Sequence, residues 1–167
     1  FADEKVAQTV GNIMDAAGID ARRVVFGLRE TAVMSNVEDI ERCMQVIREL
    51  GPTFSLDDFG TGYSSFAHIQ RLPIGALKID RSFVQNVNTT HDDATIVKAM
   101  ISLAHNLGLK VIAEGAETGA QVDFLRDHAC DQVQGYFFSR PLPFVDLLEK
   151  IQRTFFPASS ATASLTL

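Results

Sequence analysis

Four side chains in this sequence place charge where charge is costly. Asp57 and Asp58 stand side by side at the end of an expected strand, 53–56. Lys78 lies between Leu77 and Ile79, and Glu114 ends the apolar run 111–113. Adjacent carboxylates at a strand end repel each other unless a cation sits between them. Hard oxygen ligands of this kind suit Mg²⁺, Mn²⁺ or Ca²⁺. A simpler account of Asp57-Asp58 is a turn with solvated acids, and of Lys78 a side chain snorkelling to the sheet end. Glu114 resists that treatment, because a carboxylate closing a buried strand needs a partner. Two Asp, one Lys and one Glu on three consecutive strand ends together describe a two-metal site for cleaving phosphodiesters. Two ions would clamp the attacking and leaving oxygens while Lys78 and Glu114 orient or deprotonate the water.

Positioning these groups requires regular elements, and the sequence alternates between two periodicities. Residues 3–17 read as an amphipathic helix ended by Gly18, and 24–28 as a buried strand. Ser35 or Asn36 caps a helix over 37–50, which Gly51-Pro52 stops. Strand 53–56 leads to a glycine-rich loop and a short helix over 64–71. Strand 76–80 follows, then a helix from Asp92-Asp93 to Leu107 closed by Gly108. Strand 110–114, helix 119–128, strand 133–138 and helix 143–155 complete the pattern. The Ala/Ser/Thr-rich segment 156–167 has no periodicity and is expected to be a flexible tail.

Strand–helix alternation with short links implies an α/β fold with a parallel sheet. Five strands fit either an open doubly wound sheet or part of an eight-stranded barrel. Asp57, Asp58, Asp80, Glu114 and Glu117 all fall at C-terminal strand ends, the rim where barrel enzymes keep their chemistry. A doubly wound sheet would carry a phosphate loop after its first strand, whereas Arg29-Glu30-Thr31 follows here. The barrel is favoured.

Composition sets the outer bounds. The 167 residues match one domain, with 46% hydrophobic and 22% charged residues. A formal net charge of −6 argues against DNA as a partner. No apolar run approaches the roughly 18 residues of a membrane span, and the start lacks signal-peptide regions. The first residue is Phe, so the chain is expected to be an internal piece of a larger cytoplasmic protein. Cys43 and Cys130 form neither a disulfide framework nor a zinc pattern, and Cys43 reads as a buried thiol. The histidines at 68, 91, 105 and 128 have no metal spacing and receive no role. Gly60, Thr61, Gly62 and Tyr63 form a tight turn or a mobile loop over the site, with Ser64 or Ser65 as helix cap. Phe26, Tyr63, Phe66 and Tyr136 are candidate base-stacking rings, although aromatics at such spacings are more often core.

Four segments carry a resemblance. They are residues 57–65 (DDFGTGYSS), 77–83 (LKIDRSF), 113–118 (AEGAET) and 133–143 (VQGYFFSRPLP). In this order and spacing they resemble the EAL family of cyclic di-GMP phosphodiesterases, over about residues 1–155. The resemblance implies a modified (β/α)8 barrel, often dimeric, that cuts cyclic di-GMP to pGpG with Mg²⁺ or Mn²⁺ and is inhibited by Ca²⁺. It implies metal ligation by Asp57, Asp58 and Glu114, with Asp58 also near the ligand and Glu114 alternatively a base. Lys78 holds the attacking water, Glu30 and Glu117 brace the mobile loop, and Gln134 lies near the site.

The departures are equally specific. The Glu-Ala-Leu segment and the Asn-x-Ser ligand should precede residue 1. The family's Glu-(Leu/Ile)-Thr-Glu reads Gly27-Leu28-Arg29-Glu30, so a metal-binding Glu has become Gly27 and metal affinity should fall. Five strands cannot close the barrel, so either the chain is a fragment of the domain or the gap is filled by a second copy, as a homodimer, or by a partner that completes it. Three readings remain: an active phosphodiesterase seen in part, a degenerate cyclic di-GMP receptor, and an interaction module. Little or no turnover is expected from this chain.

Overall fold

The computed structural model describes residues 4–62 and 66–155. After helix α1 (Glu4–Ala16), five strands alternate with helices. They are β1 (Val25–Arg29), β2 (Thr53–Phe59), β3 (Ala76–Ile79), β4 (Lys110–Glu114) and β5 (Gln132–Gln134). Two long helices fill the central crossovers, α3 (Val37–Glu49) between β1 and β2 and α6 (His91–Asn106) between β3 and β4. Asn36 caps α3 by accepting the Asp39 N–H. Short helices α2 (Glu30–Met34), α4 (Phe66–Arg71) and α5 (Arg81–Val84), then α7 (Gly119–Asp127) and α8 (Phe144–Phe155), complete the order.

All strand pairs are parallel and the sheet order is β1-β2-β3-β4-β5. Neighbours in space are therefore neighbours in sequence. A doubly wound sheet reverses direction at a switch point, and this one does not. The sheet is an arc of a β/α barrel. Leu56, Leu77 and Val111 stand opposite one another across β2, β3 and β4, as do Ile79 and Ala113. All are buried beneath the outer helices with Val97, Ala104 and Leu125. At about 25 cal/mol per Å² of apolar surface, this layer is the main source of stability. The other face of the arc carries Gly27, Arg29, Ser55, Asp57, Lys78 and Glu114.

Three expectations change. The strand expected over 133–138 stops at Gln134. A Cβ on Gly135 would lie 2.1 Å from the Ala116 carbonyl oxygen, so the chain passes flush against the β4–α7 loop. It then turns, with the Phe137 N–H donating to Ala116 O and the Phe138 N–H to Gly135 O. Tyr136, Phe137 and Phe138 are left exposed on that turn. Next, β2 runs on through Asp57 and Asp58 to Phe59 instead of ending before them. Last, α2 and α5 begin immediately after β1 and β3, in segments to which the sequence assigns no element. Among the described residues, no helix is long and apolar enough to cross a membrane.

Candidate functional site

The C-terminal edge of β2 is irregular, and the irregularity makes the site. Leu56 pairs with Leu77 and Phe59 with Ile79, so Asp57 and Asp58 together oppose the single residue Lys78. This is a β-bulge, a device that re-aims side chains beside functional sites. Asp58 takes φ 58°, an uncommon left-handed conformation for a residue with a Cβ.

Lys78 is the electrostatic centre. Its Nζ lies 3.3 Å from Asp57 Oδ2 and forms a close ion pair with Glu114 Oε1. All three side chains are a quarter exposed or less. Burial alone would lower the lysine's proton affinity, but Glu114 and then Asp57 outweigh it and hold the ammonium above its ordinary value. Ser55, buried on β2, donates its hydroxyl to Asp57 Oδ1 at 2.9 Å. Arg29 lies farther out, with Nε 3.6 Å from Asp58 Oδ2 and most of its side chain in solvent.

A cleft of about 350 Å³ opens beside this cluster between the ends of β2 to β5. Asp58, Asp80, Glu114 and Glu117 line it, and Arg81, Gln134 and Tyr136 stand among them. Asp80 caps α5 by accepting from the Ser82 amide at 2.9 Å. Burial opposes its charge, yet the Ser82 hydroxyl and amide bring its carboxyl below the usual value. The Arg140 guanidinium sits 4.6 Å above the Tyr136 ring, a cation–π pair at the cleft edge.

Two loops are tied down from behind. Glu30, almost fully buried, accepts the Gly60 N–H at 2.8 Å. A Cβ at Gly62 would fall 2.7 Å from Glu30 Oε1, so the loop lies directly on this carboxylate. Thr61 folds back through its hydroxyl to Asp58 O at 2.8 Å. Tyr63, Ser64 and Ser65 lie outside the described residues, as does the Phe66 side chain. On the other side, buried Gln121 accepts the Glu117 and Thr118 N–H groups and donates to Gln85 O at 3.0 Å. Glu117 thus meets this brace through its backbone.

The structure brings Asp57, Asp58, Lys78, Glu114 and Gln134 to one rim and places Glu30 behind them. Phe26 does not join them. It packs at 5.7 Å against Phe54 on the helix-facing side of the sheet, which rules it out as a base-stacking ring. Ser55 and Gln121 were missed, because a serine in a strand and a glutamine in a helix carry no signal until their partners are known. The chemistry of the donors suits a hard divalent ion; their arrangement does not. Among the described residues no three Asp, Glu, His or Cys side chains converge as metal ligands, and the Lys78 ammonium already lies between Asp57 and Glu114.

The EAL domain model matches residues 1–141. The chain belongs to the EAL domain family. It is 44% identical over 156 residues to the cyclic di-GMP phosphodiesterase NbdA of Pseudomonas aeruginosa, covering 93% of this chain and 20% of NbdA. It therefore spans about a fifth of that relative's length. The PaMucR phosphodiesterase, solved as a c-di-GMP complex, superposes with a TM-score of 0.81 at 36% identity, over 84% of this chain and 57% of that one. BlrP1 of Klebsiella pneumoniae, solved as a calcium/cy-diGMP complex, gives a TM-score of 0.75 at 27% identity, over 81% and 34%.

Proposed function

We propose that this chain is the greater part of a cyclic di-GMP-binding EAL domain. The reaction of the domain it comes from is hydrolysis of the dinucleotide to pGpG. The observation that carries this reading is the bulge that sets Asp57 and Asp58 against Lys78, beside Glu114 and an open acidic cleft. Lys78 is the group placed to hold a water or a phosphoryl oxygen, and Asp57 and Glu114 are the bases within reach of it. Gln134 and Tyr136 border the space in which a nucleotide would lie. In the family, Mg²⁺ or Mn²⁺ supplies the positive charge that activates water and steadies the phosphoryl oxygens.

By itself the chain should turn over little or no substrate. Four carboxylates line the cleft against one arginine, so an anionic phosphodiester meets like charge unless cations are added. Gly27 contributes no ligand to offset this. A second reading, a receptor that binds without cutting, is favoured by Gly27, which offers no carboxylate to a metal at the rim.

Calorimetric titration with cyclic di-GMP tests both readings, first with Ca²⁺ to suppress hydrolysis and then with Mg²⁺ or Mn²⁺ while pGpG is followed by chromatography. Cation-dependent binding without pGpG is expected. Absence of binding by folded protein overturns the reading, and sustained pGpG formation overturns the expectation of inactivity.

A further inference from the structure

Gly27 does more than omit a ligand. A Cβ built on it would stand 2.3 Å from Asp57 Oδ2, 3.0 Å from its Cγ and 3.2 Å from Oδ1. Real Cβ atoms essentially never come that close to another heavy atom. The Asp57 carboxylate thus fills the volume that any side chain at position 27 would need.

The backbone does not ask for glycine here. The glycines with positive φ are 18, 51, 60, 108 and 115, and Gly27 is not among them. An alanine would suit the strand at least as well. What the missing side chain accommodates is the carboxylate. In the β1–β2 register Gly27 stands opposite Ser55 and Arg29 opposite Asp57, so the Asp57 side chain leans diagonally back across β1. There it meets the Ser55 hydroxyl at 2.9 Å and the Lys78 ammonium at 3.3 Å. The oxygen that faces Lys78, Oδ2, is the one a Cβ would displace.

We infer that Gly27 is a positioning residue that parks the Asp57 carboxylate against Lys78, making that ammonium the resident cation of the site and the competitor a divalent ion must displace. The inference rests on the reading of this rim as an EAL site, and it explains why the donors do not converge on a metal position. A divalent ion entering here must break the Lys78–Asp57 contact. Any side chain at 27 displaces the Asp57 carboxylate and strips Lys78 of one partner.

Mn²⁺ alone, without nucleotide, is the probe, with affinity measured by calorimetry and electron paramagnetic resonance on the full chain. Gly27→Ala should tighten Mn²⁺ binding by about tenfold, because it frees a carboxylate from an ion pair that the metal otherwise has to break. The Lys78 side-chain NMR resonances should shift in the same variant. In an Asp57→Asn background, Gly27→Ala should have no effect on Mn²⁺, since the two residues act through one contact. Lys78→Gln, which frees Asp57 without touching β1, should also tighten Mn²⁺ binding and serves if the alanine variant does not fold. Unchanged Mn²⁺ affinity in both Gly27→Ala and Lys78→Gln overturns the inference, as does an equal gain in the Asp57→Asn background. No nucleotide takes part, so failure here leaves the cyclic di-GMP reading standing, and failure of nucleotide binding leaves this result standing.

Discussion

The two rims of the arc treat a carboxylate differently. At the N-terminal edge, Asp131 accepts the Val111 N–H at 2.8 Å and faces His105 Nε2 at 2.9 Å, both contacts through Oδ2. One acid has two dedicated partners and ties α6, β4 and β5 together. At the C-terminal edge, Asp57 and Glu114 share one lysine, Asp58 has a distant arginine, and a bulge with a left-handed aspartate crowds them. The lower rim matches charges to partners and gains stability. The upper rim holds more negative charge than its partners offset, the condition of a surface that awaits a ligand.

That contrast can be broken most forcefully at Lys78. Lys78→Gln leaves two half-buried carboxylates facing each other and should cost about 2–3 kcal/mol in urea unfolding, with added Mn²⁺ restoring part of the loss. Gln121→Ala comes next. It removes the acceptor of two loop amides and the donor to Gln85 O, and should cost about 1–2 kcal/mol and weaken cyclic di-GMP binding through the Glu117 loop.

The lower rim gives a smaller, pH-dependent effect. His105, opposed by burial and aided by the Val111 amide, holds the Asp131 carboxyl below its ordinary value. A depressed carboxyl stabilises the fold above its unfolded value near 3.8 and loses that contribution as pH falls through the folded value. Asp131→Asn should lower stability at neutral pH by about 0.5 kcal/mol and flatten its decline in acid, as read from thermal unfolding between pH 3 and pH 7. The smallest effect belongs to Arg29→Ala. Its contact with Asp58 is long and exposed, so stability should change by less than about 0.5 kcal/mol. A larger change would show that the upper rim is better compensated than its geometry implies.

Much of this was legible in the sequence because it depends on local pattern. The apolar runs around Lys78 and Glu114 fixed β3 and β4 to within a residue, and the acids at strand ends pointed to one rim. What escaped depends on contacts distant in the chain. Tyr136-Phe137-Phe138 has the composition of a strand, and only the close approach of Gly135 to Ala116 shows that the chain must turn there. Helices α2 and α5 are too short for a period to register, and Asp80 shows itself as a cap only once Ser82 is seen to donate to it. Gln121 reads as an ordinary helix residue until the Glu117 loop is laid over it. At Gly27 the sequence disclosed a lost ligand but not the carboxylate occupying its space.

The bulge in β2 also constrains how this gene can vary. Phe59 stays buried and paired with Ile79 although two residues, Asp57 and Asp58, stand opposite Lys78, because the bulge absorbs the extra one. Loss of either codon would do more than subtract a charge. A one-residue deletion would leave a single aspartate opposite Lys78 and restore regular alternation, so Phe59 would keep its place in the helix layer while the bulge and one rim carboxylate would be lost. Substitutions can change this pair one position at a time and keep the bulge, whereas a deletion removes the bulge together with the charge. The second aspartate is thus an extra residue that the core tolerates and that only the rim has a use for.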